Sequence, residues 1–169
     1  MAASGRETLM ALEIERKFLV TGDEWRKAEG TVLRQGYLST HPERTVRVRI
    51  DGDKATIAVK GITRGATRSE YEYDIPPEEA VELLRLCEPP LIEKVRRRLE
   101  HDGLVWEVDE FLGDNQGLVV AEVELDREDR PLTKPPWVGE EVTHDPRFYN
   151  ANLVANPFTK WHNSPKGRN

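Results

Sequence analysis

From Leu12 to Val20 the chain alternates apolar and charged positions, LEIERKFLV. An extended backbone therefore sends Glu13, Glu15 and Lys17 to one face and Leu12, Ile14 and Phe18 to the other. The same period of two recurs at roughly 32–39, 44–50, 54–60, 68–75, 92–99, 104–111 and 118–125, which predicts about eight strands. Asp51-Gly52-Asp53, His101-Asp102-Gly103 and the stretch from Gly113 to Gly117 separate these runs with tight-turn residues, so consecutive strands pair antiparallel. Helical signals are fewer. DEWRKAEG (23–30) predicts a short helix, and PPEEAVELLRLC (76–87) opens on proline and acidic residues with Val81, Leu84 and Leu83 on one face. Asp145-Pro146 supplies the N-cap and first turn of a helix through RFYNANLVA. The expected class is mainly β (α+β): a sandwich or a closed barrel, flanked by a few helices.

Charge sorts by strand. Arg47 and Arg49 share a face of RTVRVRI, Lys94, Arg96 and Arg98 a face of LIEKVRRRL, Glu107 and Asp109 a face of WEVDEF, and Glu122 and Glu124 a face of VVAEVEL. In an open sheet these faces would lie in water, with cross-strand pairs adding a few tenths of a kcal/mol each. In a closed sheet they would line a lumen, and Ile14, Val46, Val48 and Val123 would point outward under helices, loops or a partner. A dry lumen so charged is untenable; water, a metal ion or a bound anion relieves it. Glu13 beside Glu15, and Glu122 beside Glu124, repel unless a cation lies between them, and the paired arginines ask for an anion. Two Glu-x-Glu strands suit a hard ion, Mg²⁺ or Mn²⁺, that bridges carboxylates to phosphates. With one cysteine and four scattered histidines, zinc is disfavoured; His41, His101, His144 and His162 fall at turns or termini and read as spectators.

At 169 residues the length predicts one domain, spanning 12–159 between a lead-in at 1–11 and a loose tail at 160–169. A net charge of −6 argues against nucleic acid or an anionic membrane as partner and leaves a small anion in a local pocket. Cys87 stands alone, so no intrachain disulfide forms, and no apolar run approaches the ~20 residues of a membrane span. The start of the chain lacks a secretory apolar core, so a cytoplasmic location is expected. Outward apolar strand faces are compatible with a homodimer.

The Glu-x-Glu-x-Lys strand formed by Glu13, Glu15 and Lys17 resembles the hallmark of the CYTH superfamily, the triphosphate tunnel metalloenzymes. LRQGYL, the arginines at 47 and 49, the lysine at 60, RSEYEYDI from Arg68, IEKVR ending at Arg96, WEVDEF, AEVEL and GEEVTHDPRFYNANL extend the likeness over roughly 12–155, most like the short bacterial inorganic triphosphatases. The resemblance implies an eight-stranded antiparallel closed barrel with a tunnel through it and a C-terminal plug helix near Pro146–Ala155. It implies hydrolysis of inorganic triphosphate (tripolyphosphate) to diphosphate and phosphate. Relatives with adenylate cyclase, thiamine triphosphatase or nucleoside triphosphatase activity stay open, as does a non-catalytic polyphosphate- or nucleotide-binding module. By motif position, Glu13, Glu15, Asp109, Glu122 and Glu124 would handle divalent metal, and Lys17, Arg47, Arg49, Lys60, Lys94 and Arg96 would grip phosphate, with Arg68 a further member. Lys94 or Tyr37 would handle the proton. The chain departs from the pattern in its extension before Glu13 and in Arg97, where an aromatic is common.

Overall fold

A computed structural model describes residues 11–161; the expected lead-in before residue 11, the tail beyond 161 and His162 lie outside the described residues. Within them run nine strands: β1 (Leu12–Val20), β2 (Gly30–Ser39), β3 (Arg44–Asp51), β4 (Lys54–Gly61), β5 (Thr67–Asp74), β6 (Ile92–His101), β7 (Leu104–Phe111), β8 (Val119–Glu124) and β9 (Val138–Glu141). Two α-helices accompany them, α1 (Pro77–Arg85) and α2 (Asn150–Ala155). The strands join in the order β5-β4-β3-β2-β6-β7-β8-β1-β9, and β1 also pairs with β5. That last pairing closes eight strands into an antiparallel barrel, leaving β9 as an extra strand. One edge of β1 is divided: Leu12–Ile14 take β5, while Phe18 and Val20 take β9.

Register brings the charged rows together. Lys17 lies opposite Glu122, Glu122 opposite Glu107, Arg96 opposite Asp109, Glu13 opposite Arg68 and Arg49 opposite Gln35. Because side chains alternate across each strand, these positions all face the lumen. Beyond Lys17, Lys94 and Asp109 the same inward rows turn apolar, at Leu19, Ile92, Phe111 and Val120. Ile92, Phe111 and Val120 pack with Tyr37, Phe148, Leu153 and Val154, and Leu19 lies partly buried against them. Thus α2 stops one end of the barrel with an apolar seal.

The outer faces are covered separately. Phe18, Trp106, Val108, Ala121 and Val123 pack beneath Trp25, Leu125, Trp137 and Val138. On the far side, Ala80 and Leu84 of α1 cover Val48 and Ala55. Burying a side chain such as Leu84 contributes about 1.5–3 kcal/mol. Gly36 permits this docking, since a Cβ there would come within 2.7 Å of Cys87 Cβ and of Leu91 Cδ2. Val59, Tyr71 and Tyr73, on β4 and β5, remain solvent-exposed.

Several local expectations are revised. The helix expected over 23–30 is one 3₁₀ turn, Glu24–Lys27, because Trp25 is drawn into the core and Ala28 is already extended. On α1 the buried pair is Ala80 and Leu84, four apart; Val81 is 42% exposed and so lies off the covered face. The C-terminal helix is interrupted. Asp145 caps a 3₁₀ turn at Pro146–Phe148, then extended Tyr149 resets the direction before α2. Trp161, within the expected tail, stacks edge-on against Phe148 and Phe158. None of the helices is long and apolar enough to cross a membrane among the described residues.

Candidate active site

The bore forms a cavity of about 490 Å³ lined by side chains from every barrel strand, charged on all but β2, which supplies Gln35 and Tyr37. Of the residues singled out by sequence, Glu13, Glu15, Lys17, Tyr37, Arg47, Arg49, Lys60, Arg68, Lys94, Arg96, Glu122 and Glu124 line it. Asp109 does not. It faces inward but lies covered by its cationic neighbours, fully buried, with one oxygen 2.8 Å from Lys94 Nζ and both held by Arg96 at 2.7 and 2.8 Å. Three charge-assisted bonds occupy its oxygens and tie it to two cations of the bore.

Ion pairs bind the rest of the wall. Lys60 Nζ lies 3.1 Å from Glu13 and 3.0 Å from Glu70, and Arg68 donates to Glu13 at 3.2 Å. Lys17 pairs with Glu122 at 3.2 Å, Arg47 with Glu72 at 2.9 Å and Arg96 with Glu107 at 3.3 Å. The bore therefore neutralises itself when empty of anion. One donor stays unmatched: Arg47 Nε is buried with no hydrogen-bond partner. A buried unpaired N–H costs free energy, and a phosphate oxygen would satisfy it.

Proton affinities follow from this arrangement. Burial opposes ionisation of Glu13, yet Lys60 and Arg68 hold its pKa down to about 2. Glu122 is likewise pulled well below the usual carboxylate range by Lys17, Lys94 and Arg96, against its burial. Glu15 goes the other way: burial, then the neighbouring charges of Glu122 and Glu13, push it well above that range. Glu124, at the mouth, is raised by burial and by Glu13, Glu70 and Glu107. Burial, reinforced by Arg96 and Arg49 and countered by Asp109, lowers Lys94 to about 7. Arg49 is lowered to about 10 by burial and by Arg47 and Arg96.

Among the described residues no three acidic, histidine or cysteine side chains converge tightly enough to form a ready-made metal site. Even so, the donors are the right kind for a hard ion. The cavity wall contains carboxylates and no histidine or cysteine, and Glu15, crowded by Glu122 and Glu13, stands where a cation would relieve repulsion. His41, His101 and His144 stay off the wall.

Sequence reasoning did not pick out Gln35, Asn150, Glu70 or Glu72, all on the wall. The two glutamates were findable, because they continue the alternation set by Arg68 in TRSEYEYD. The two amides carry no charge pattern. Gln35 is fully buried, and Asn150 arrives from α2, outside any strand. The C-terminal segment meets the bore elsewhere as well: Lys17 Nζ donates to the Phe148 carbonyl at 3.4 Å, and the Lys17 N–H donates to Thr143 Oγ1 at 2.9 Å.

A closed antiparallel barrel with interleaved acids and bases in its bore defines a class of polyanion-handling tunnel protein. The chain belongs to the CYTH domain family, whose model matches residues 11–149. It is 52% identical over 151 residues to an inorganic triphosphatase of Acetivibrio thermocellus, covering 88% of this chain and 97% of that one. To an inorganic triphosphatase of Nitrosomonas europaea it is 37% identical over 146 residues, covering 84% and 96%. A crystal structure of an inorganic triphosphatase superposes with a TM-score of 0.62 at 35% identity, covering 84% of this chain and 93% of that chain. A putative adenylate cyclase from Bacillus halodurans shares the fold at a TM-score of 0.54 and 16% identity, covering 71% and 84%.

Proposed function

We propose that this protein hydrolyses inorganic triphosphate to diphosphate and phosphate in its bore, with a divalent metal ion. The observation that carries the reading is a cavity whose cations come from five strands around the barrel, β1, β3, β4, β5 and β6, so that a linear polyanion is met on several sides. Relatives that are 52% and 37% identical are inorganic triphosphatases, which supports the same substrate.

Phosphoryl transfer asks little covalent chemistry of a protein; positioning and charge stabilisation supply most of the acceleration. Lys17, Arg47, Arg49, Lys60, Arg68, Lys94 and Arg96 grip the phosphate oxygens. To do so they exchange their carboxylate partners for substrate, which releases Glu13 and Glu122. Those two, with Glu15 and Glu124, would hold Mg²⁺ or Mn²⁺. A bound divalent ion neutralises phosphate charge and lowers the pKa of an attacking water. Asp109 keeps Lys94 and Arg96 aimed into the bore. Lys94, whose pKa is lowered to about 7, is placed to trade a proton near neutral pH, and Tyr37 Oη lies in the same wall. The partner is a small molecule, and the buried free Cys87 accords with a reducing cytoplasmic setting.

The test is a panel of inorganic triphosphate, ATP and thiamine triphosphate, each with Mg²⁺, Mn²⁺ or chelator. Metal-dependent phosphate release is expected to be fastest from inorganic triphosphate. Tight triphosphate binding without turnover under any ion would instead leave a binding module, and faster formation of cyclic AMP from ATP would make the protein a cyclase.

A further inference from the structure

Two neutral amides connect cations that belong to different parts of the bore. Gln35 Oε1 accepts from Arg49 Nε at 3.0 Å. A guanidinium only donates, so this contact dictates which end of the Gln35 amide faces Arg49. Gln35 Nε2 is thereby turned toward α2, where it donates to Asn150 Oδ1 at 3.2 Å. That same Oδ1 accepts from Lys94 Nζ at 2.8 Å. The orientation of each amide is thus inherited along a chain that begins at a donor-only group. Gln35 has no exposed surface and cannot swing into water, and its Nε2 also lies 3.4 Å from Tyr37 Oη. Lys94 has three ammonium protons: one goes to Asp109 at 2.8 Å and one to Asn150. One N–H is left for a ligand.

We propose that Gln35 and Asn150 are positioning residues, a two-amide bridge that fixes Arg49 and Lys94 relative to each other and directs the remaining Lys94 N–H at the substrate. The proposal rests on the triphosphatase reading for its catalytic consequence, but the bridge itself is defined by geometry alone. Asn150 also makes the C-terminal cap part of the site: α2 closes the barrel and delivers the acceptor that aims a reactive lysine. Misplacing such a group by about an ångström costs up to about 100-fold in turnover.

Two readouts test it in the full chain. In Asn150→Ala, kcat for triphosphate is expected to fall by roughly 10–100-fold with KM changed by less than about 3-fold, because positioning is lost while the phosphate-gripping cations stay. Independently, brief treatment with acetic anhydride and mass spectrometry reports the acetylation of Lys94 relative to Lys60. Asn150→Ala is expected to raise that ratio, and Asn150→Asp, which keeps an acceptor for both donors and adds a counter-charge beside the ammonium, to hold it at or below the wild-type value. Gln35→Glu gives the same test without touching α2. It keeps the Arg49 contact but presents an acceptor to Asn150, which flips the Asn150 amide and removes Oδ1 from Lys94, so it should match Asn150→Ala in both readouts. An unchanged Lys94 ratio in Asn150→Ala and in Gln35→Glu would overturn the bridge. Absence of triphosphate turnover in the wild type would remove the functional reading instead, and the labelling ratio would still decide the bridge.

Discussion

Asp109→Asn isolates what one buried carboxylate does for the bore. Asp109 has no exposed surface, and its oxygens accept from Lys94 at 2.8 Å and from Arg96 at 2.7 and 2.8 Å. Asparagine fills the same space, so packing is preserved. One oxygen, however, becomes an NH₂ donor facing donors, and two nearly buried cations lose their full counter-charge. Removing one partner of a buried pair costs about 3–5 kcal/mol, and the retained carbonyl acceptor places this variant near the lower end, about 3 kcal/mol. For a chain of 169 residues, each kcal/mol moves Tm by about 2–4 °C, so a fall of about 6–12 °C is expected in calorimetry. Glu124→Gln is the control. Its side chain reaches solvent at one side, and its carboxyl is raised by partial burial and by repulsion from Glu13, Glu70 and Glu107, so neutralising it should leave Tm level or slightly higher. Triphosphate at about 100 times Kd should add about 2.7 kcal/mol to the wild type. In Asp109→Asn its gain should be at least as large, since the ligand supplies charge to the two uncovered cations. An Asp109→Asn protein melting within about 2 °C of wild type would refute the idea that this carboxylate is what makes Lys94 and Arg96 tolerable in the wall.

Three further outcomes are expected. Lys60→Ala removes the ammonium between Glu13 and Glu70 and should raise KM for triphosphate more than it lowers kcat, as measured by phosphate release. Glu122→Ala should abolish turnover and, in Mn²⁺ titrations followed by electron paramagnetic resonance, weaken ion binding; full activity in this variant would remove Glu122 from the proposed metal set. Cys87 is 7% exposed and its thiol is pushed up by burial, so little thiolate forms at neutral pH. Iodoacetamide at pH 8 should leave it unmodified in the native protein and label it in urea, and fast native labelling would contradict the packing of α1 on β3.

Much of the fold was legible because the barrel is inside out: charges fill the lumen and apolar side chains the outside, so period-two patterning exposed both at once. Glu13, Glu15, Lys17, Arg47, Arg49, Lys94, Arg96 and Glu122 were readable as one inward surface for that reason. What patterning does not carry is depth. Asp109 shares a row with Glu107, yet the cross-strand register sets it beside Arg96 and out of the cavity. β9 spans only Val138–Glu141, too short for alternation to show. Gln35 and Asn150 are neutral, and their importance arises only when α2 folds over the end of the barrel, a contact between residues 115 apart. Trp25 misled in the opposite direction, since an indole seeking the core overrode the helical propensity of its neighbours.

The split edge of β1 has a mechanical meaning. Leu12, Glu13 and Ile14 pair with Ser69, Arg68 and Thr67 of β5, flanked by backbone bonds from Glu70 to Ala11 and from Glu15 to Ala66, so among the described residues the hoop is fastened by the first few rungs of β1. Glu13 is both a rung and a wall carboxylate, bonded to Arg68 across that seam. Fastening and ligand handling are therefore linked: an anion that draws Arg68 and Lys60 away from Glu13 removes the side-chain bond across the seam and leaves the clasp to its backbone pairing. Amide exchange at residues 12–14 and 67–69 is where an occupied bore would first make itself felt, and trimming the chain past Ile14 would undo the hoop itself.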